Sequence, residues 1–207
     1  MAATPRPTVE LPVLGQPPRE RADAARNRAR LLDAAAQLVE RYGAGQVTME
    51  AVATAAHVGK GTLFRRFGDR AGLMNALIDH AEQEYQQAFM SGPPPLGPEA
   101  EPLERLEAFG VSTIRFHLRY LDVLLEAEPC ATRRCLVAPR MLRTAHISML
   151  LRQIAPGGDT ELLAQTLVTQ LDPALLHHLN QQLRFPIERI EHGWLDLVRR
   201  LTVRQLL

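Results

Sequence analysis

From Ala22 to the end of the chain, apolar residues recur every three or four positions, and no stretch alternates with the period of two that a half-buried strand requires. Ala25, Ala29, Leu32, Ala36, Val39 and Tyr42 form one such stripe, which predicts an amphipathic helix closed by Gly43. Thr48 then stands before "MEAVATAAHV", where its hydroxyl can accept an orphan backbone N–H and Glu50 complements the positive helix end. A second, short helix is expected there. Val58 and Gly59 break it, and Lys60 to Phe67 predict a third helix stopped by Gly68. Asp69 can cap a fourth through about Phe89, with Leu73, Leu77, Ala81 and Ala88 on its apolar face and Met74, Ile78 and Tyr85 alongside.

Two proline-rich stretches interrupt this texture. "MAATPRPTVELPVLGQPPRE" at the start holds five prolines and no periodicity, so residues 1–21 are expected to form a flexible arm. "SGPPPLGPEAEP" marks a boundary near residues 91–102. The expected division is an N-terminal helical unit over 22–90, including its linking fourth helix, and a second helical unit over 103–207. That second unit reads as helices from Leu103 to about Glu126, from about Cys130 to Ala155 with a break near Pro139, and from Thr160 to about Leu183. Asp172 and Pro173 interrupt the last of these as an N-cap and a first-turn proline would. The final helix runs from Pro186 to about Val203, with Ile187, Ile190, Trp194, Leu197, Val198 and Leu201 on one stripe. The chain is expected to be all-α, with a small N-terminal and a larger C-terminal domain.

The two short helices joined by a tight turn, braced by a longer helix before them, make a helix-turn-helix. With Leu63 and Phe67 facing the core, steps of about 100° per residue place Gly61 and Arg65 on the opposite face and Thr62 and Phe64 at its flanks. Lys60 falls in the first turn. Such a helix suits the major groove, where Lys or Arg to guanine is the commonest specific contact. Lys60 and Arg65 are therefore the candidate base readers. Thr48, Thr62, Arg66 and Arg70 suit phosphates, which fix register without carrying sequence information.

"TMEAVATAAHVGKGTLFRRFGDRAGLMNALI" resembles the DNA-binding segment of TetR-family transcriptional regulators. Thr48, Ala53, Val58, Gly61, Thr62, Leu63, Phe67, Arg70 and Leu73 match its pattern, over roughly residues 26 to 80. Phe64 departs from it: the family usually has a Tyr whose hydroxyl meets a phosphate, so stacking or methyl contact is expected instead. The resemblance implies a C-terminal domain that binds an effector and pairs its last two helices across a two-fold axis. Leu175, Leu179, Ile190, Trp194, Leu197 and Leu201 are the expected dimer contacts. It also implies a homodimer on a palindromic operator in double-stranded DNA, acting as a repressor released by a small apolar or aromatic molecule. Phe116, His117, Tyr120, Met141, His146 and Met149 are the candidate effector contacts, since aromatic and Met side chains around a few polar groups suit such a ligand. A ligand-independent regulator, an activator and a helical protein-interaction scaffold remain alternatives.

Composition adds less. The chain has 207 residues with 24 basic and 23 acidic side chains, so net charge does not call for nucleic acid. Positive charge is concentrated early, with 11 basic against 8 acidic residues in positions 1–80. Lys60 is the only lysine, and arginine suits bidentate contact to phosphate or guanine. Arg19, Arg21, Arg26 and Arg28 could serve an arm entering the minor groove. No G-x-S-x-G, P-loop or H-E-x-x-H stands in the sequence, and no enzymatic activity, cofactor or metal is expected. His80 with Glu84 and Glu188 with His192 have a metal-like i,i+4 spacing that solvated helix faces share. Cys130 and Cys135 lie outside zinc-ligand spacings. With no bilayer-length apolar run, the expectation is a cytoplasmic protein with no membrane partner.

Overall fold

The computed structural model describes residues 19–126 and 137–203, with the side chains of 19–24 and of the final residues of α6 and α10 left aside. Every regular element among them is helical. In order these are α1 (Arg19–Tyr42), a single 3-10 turn (Ala44–Gln46), α2 (Met49–Ala55), α3 (Lys60–Phe67), α4 (Arg70–Ser91), α5 (Pro102–Arg119), α6 (Leu121–Glu126), α7 (Ala138–Ile154), α8 (Thr160–Gln170), α9 (Pro173–His177), a π turn (His178–Gln182) and α10 (Ile187–Val203). No described helix is long and apolar enough to cross a membrane. The segment holding Cys130 and Cys135 and the first 18 residues lie outside the described part.

Short polar side chains set the helix starts. Thr48 Oγ1 accepts the Ala51 N–H at 3.1 Å, Asp69 Oδ1 that of Gly72 at 2.8 Å, Asp159 Oδ1 that of Leu162 at 3.0 Å and Asp172 Oδ1 that of Ala174 at 2.9 Å. Each such cap contributes about 1 kcal/mol. Gly68 ends α3 at φ 79°, a conformation that costs an L side chain energy. Prolines open α5, α7 and α9, where the missing N–H has no intrahelical partner to lose.

Several boundaries differ from expectation. α1 begins at Arg19, so the helical pattern reaches three residues into the expected arm. Its buried face is Leu31, Leu32, Ala35 and Val39, whereas Tyr42 at the frayed end is exposed beneath the Arg41 guanidinium. The expected single helix over 103–126 breaks at Tyr120, whose ψ of 17° leaves the helical range and starts α6 in a new direction.

Two apolar cores divide the molecule. The first joins α1, α2, α3 and the start of α4 through Leu31, Val39, Val52, Leu63, Leu73 and Leu77, and also takes in Tyr120 and Val123 from the α5–α6 corner. The second gathers Phe89 of α4 with α5, α7, α8 and α10 through Phe109, Ile114, Leu150, Leu167 and Trp194. α4 thus runs through both. In the second core Trp194 packs against α5: its Nε1 donates to the Glu107 carbonyl at 3.1 Å, and a Cβ at Gly110 would collide with the indole. Glycine is what lets α10 approach this closely. Arg115 fixes the same pair of helices by a bidentate contact to Glu191, at 2.6 Å and 3.1 Å.

Candidate functional site

α3 is held by Leu63, with Phe67 packed against the same core. Leu63 is fully buried and Phe67 half-buried, with the Arg28 guanidinium 5.9 Å over the Phe67 ring. Everything else on the helix turns outward: Lys60, Gly61, Phe64, Arg65 and Arg66 are exposed and Thr62 is half-buried. A Cβ at Gly61 would meet nothing, so this face of the backbone is open to a partner. The outer surface therefore carries three cations, one bare stretch of helix and one exposed aromatic ring, Phe64. Exposed Thr48 stands at the start of α2, already accepting the cap hydrogen bond.

Lys60 and Arg70, among the expected contact residues, have side-chain partners within the chain. Lys60 Nζ lies 3.0 Å from Glu50 Oε1 across the turn, and this partner lowers the Glu50 carboxyl from its ordinary value. Both groups are exposed, so the pair can open at little cost. Arg70 differs more sharply from its expected phosphate contact. Its Nε donates to the Val47 carbonyl at 3.0 Å and its Nη2 to the Ala44 carbonyl at 2.7 Å, strapping the start of α4 to the loop before α2. A guanidinium is well suited to gathering two carbonyls in this way.

The expected effector constellation is not brought together. Met141 and Met149 are exposed on α7, because the stripe they form faces away from α5. Tyr120 belongs to the N-terminal core. His146 is wedged between Phe89 and Phe109, with ring centroids 4.7 Å and 4.8 Å away, and burial pushes its pKa down to about 4. Phe116 stacks on Tyr85 at 5.3 Å, with the Arg143 guanidinium 5.6 Å over its ring. Of the six, Met141 lines a more open hollow between α7 and α8, whereas His117 lines the cavity beside α4.

That cavity, about 320 Å³, lies between α4, α5, α6 and the starts of α7 and α9. Its apolar wall is Ile78, Leu124, Val137, Pro139, Val168, Leu171 and Pro173. Two ion pairs are formed among its lining residues. Arg143 Nη2 donates to both carboxylate oxygens of Glu82 at 2.8 Å, and Arg140 Nη1 stands 3.6 Å from Asp172 Oδ2 while its Nη2 donates to Thr169 Oγ1 at 3.2 Å. His117 Nδ1 lies 2.6 Å from the Leu171 carbonyl, and burial together with the nearby Arg143 pushes its pKa down to about 3. Sequence reading missed the acid–base lining. Asp79 and Glu82 on one helix and Arg140 and Arg143 on another share an i,i+3 spacing of opposite sign, which is the signal that was present.

The expected dimer contacts divide as well. Ile190 and Trp194 are spent inside the chain, against α5, and are not available as a surface. Leu175, Leu179, Leu197 and Leu201 are half-buried. Among the described residues, Asp33, His80 and Glu84 are a group of potential ligand atoms within 4.8 Å of one another. His80 there bridges α1 and α4, 3.2 Å from Asp33 and 3.5 Å from Glu84.

Residues 31–77 match the model of the bacterial regulatory proteins of the tetR family. Comparison with curated protein sequences gives no significant match. The fold is shared with a TetR-family transcriptional regulator from Streptomyces coelicolor (TM-score 0.59, 21% identity, covering 92% of this chain and 97% of that one). It is shared also with the SmeT–triclosan complex (TM-score 0.56, 16% identity, 85% and 91% covered) and with the reduced form of NemR from E. coli (TM-score 0.56, 17% identity, 84% and 96% covered). The family model thus lies on the helix-turn-helix, so residues 31–77 are a DNA-binding segment of the tetR-family kind, and the likeness of fold runs through both domains.

Proposed function

We propose that the chain acts in the cytoplasm as a homodimeric repressor, binding a palindromic operator through α3 and leaving it when a small molecule enters the cavity beside α4. The observation that carries this reading is the outer face of α3, where Lys60, Gly61, Phe64, Arg65 and Arg66 are exposed together around a single buried anchor. Lys60 and Arg65 read base edges; Thr48, Thr62 and Arg66 contact phosphate. Lys60 exchanges Glu50 for a base on binding. Phe64, lacking a hydroxyl, packs on a thymine methyl or a sugar. Arg70 acts through the loop it straps and leaves phosphate contact to its neighbours.

Dimerisation follows from size. An eight-residue helix spans too few base pairs for useful specificity, and two-fold symmetry doubles the site. The half-buried Leu175, Leu179, Leu197 and Leu201 offer the apolar area for it.

Release is a population shift. A ligand lowers operator affinity only by its differential affinity for the two arrangements of the recognition helices. The cavity is placed to exert this, because its wall includes Ile78, Asp79 and Glu82 of α4 and Leu124 of α6, and both helices reach the N-terminal core. One solved structure with this fold is a complex with triclosan. Selection of bound sequences from random DNA is the direct test. Recovered sites with inverted half-sites are expected, and asymmetric or random sequences would overturn the palindrome and the dimer together.

A further inference from the structure

Asp33 of α1 and His80 and Glu84 of α4 each bring one potential ligand atom to within 4.8 Å of the other two. His80 Nε2 is the meeting point, 3.2 Å from Asp33 Oδ1 and 3.5 Å from Glu84 Oε1. Neither carboxylate has a lysine or arginine partner among the described residues. The i,i+4 spacing of His80 and Glu84 is by itself that of many solvated helix faces. Asp33, 47 positions before His80, is the third group, and periodicity could not supply it.

Packing holds the three positions in place. Leu31, Leu32 and Ala35 of α1 and Leu77 and Ala81 of α4 belong to one core, so the stretches of helix that carry the site are fixed against each other. His80 is half-buried, whereas Asp33 and Glu84 are exposed, and an ion arriving from solvent can reach them. A neutral imidazole has one N–H, which on Nε2 serves one carboxylate well and leaves the other short of a donor. A divalent ion answers both carboxylates and takes the Nε2 lone pair as its third bond. The spacing is already close to what such an ion needs. Zinc bonds to nitrogen and oxygen at about 2.0–2.2 Å, and a tetrahedron with those radii has edges of roughly 3.3–3.6 Å.

We propose that Asp33, His80 and Glu84 form a surface site for a divalent ion of the zinc class, which ties α1 to α4 and keeps water in its remaining position. One imidazole nitrogen and two carboxylate oxygens suit zinc, cobalt or nickel better than calcium, which takes about six to eight oxygens, or magnesium, which keeps several of its waters. The consequence is mechanical. Ile78, Asp79 and Glu82, which flank His80 on α4, line the cavity, so an ion clamped at His80 fixes the cavity wall against α1. The site stands independently of what the cavity or α3 binds.

The test is calorimetric titration of the untagged full chain, stripped with EDTA and dialysed, with Zn2+ and separately with Mg2+. Zn2+ is expected to bind through this site at least about ten-fold more tightly than Mg2+. Asp33→Ala and Glu84→Ala each remove one ligand from an exposed helix position. Each should weaken the binding by more than about ten-fold, since even a residue that only orients a ligand is worth about 10–100-fold. His192→Ala breaks the other acid–histidine pair at i,i+4 spacing, Glu188 with His192, and should leave Zn2+ binding unchanged. Zn2+ should also raise the melting temperature of the unaltered chain, and raise it less in Asp33→Ala. His80→Ala should abolish binding at the site, and if that variant does not fold, the two carboxylate variants still decide. Binding that survives Asp33→Ala and Glu84→Ala, equal binding of Mg2+, or no binding of Zn2+ would overturn the proposal. The last of these would leave His80 as a hydrogen-bonded bridge between the helices and nothing more.

Discussion

Two groups of cations in this molecule have similar chemistry and opposite circumstances. On α3, Lys60, Arg65 and Arg66 stand in solvent around one buried leucine, and the ion pair from Lys60 to Glu50 is itself exposed. At the cavity, Arg140 and Arg143 are largely out of solvent, each matched to a carboxylate, with an Nε–H left over. An exposed cation adds little to stability and exchanges its surroundings for a polyanion at little cost. A buried one cannot be removed without stranding its partner. The same kind of side chain is left exposed in one place and locked into an ion pair in the other, and burial decides which.

Acidification should separate the two groups most strongly. His117 and His146 are held near pKa 3 and 4 in the folded chain, against about 6.5 when unfolded. Above pH 6.5 both states are neutral and nothing is lost. As the pH falls through that value the unfolded chain takes up protons the folded one refuses, so stability declines toward the folded pKa values. By pH 5 the loss is about 2 kcal/mol for each histidine, read as a falling denaturant midpoint. A flat midpoint between pH 7 and 5 would mean that neither ring is buried in solution.

Next in size is Arg143→Ala. It leaves Glu82 without its partner and should cost about 3 kcal/mol of stability, at the lower end for a buried pair because Glu82 keeps some exposure. Replacing both residues with apolar ones of similar volume should recover most of it. If the single substitution is neutral, the two groups of cations do not differ as described.

Arg65→Ala reverses the pattern. Stability should stay within about 0.5 kcal/mol, while operator binding should weaken by about 1–3 kcal/mol and lose preference at one base position. A loss of melting temperature with unchanged gel shifts would assign Arg65 to the fold. The smallest effect is expected from Glu50→Gln, which frees Lys60: stability should move by less than about 0.5 kcal/mol, with operator affinity rising slightly at low salt.

The N-terminal half was legible because its signals are local. Thr48, Gly68 and Asp69 act within a few residues of themselves, and α3 has the bounds its caps predict. The pairing of Arg70 with carbonyls 23 and 26 residues earlier is not local, and periodicity cannot show it. The same holds for the cavity. Met141, His146 and Met149 share a helix with Arg143, but which face meets α5 is settled by packing among five helices. Trp194 illustrates the point from the other side. Its stripe predicts a buried face, which it has, but only the bare backbone at Gly110, 84 positions earlier in the chain, makes α5 its partner in place of a second subunit.

The corner at Tyr120 sends α6 away from α5, so that it touches both the turn at Ala44–Gln46 and α9, while Arg119 reaches Glu40 of α1 at 3.2 Å. Two struts therefore join the halves of the molecule, α4 by covalent continuity and α6 by packing. A body hung from one strut swings about it; a frame with two can only shear. On the proposed reading, a ligand wedged between them would change their spacing and carry α3 sideways more than it would tilt it.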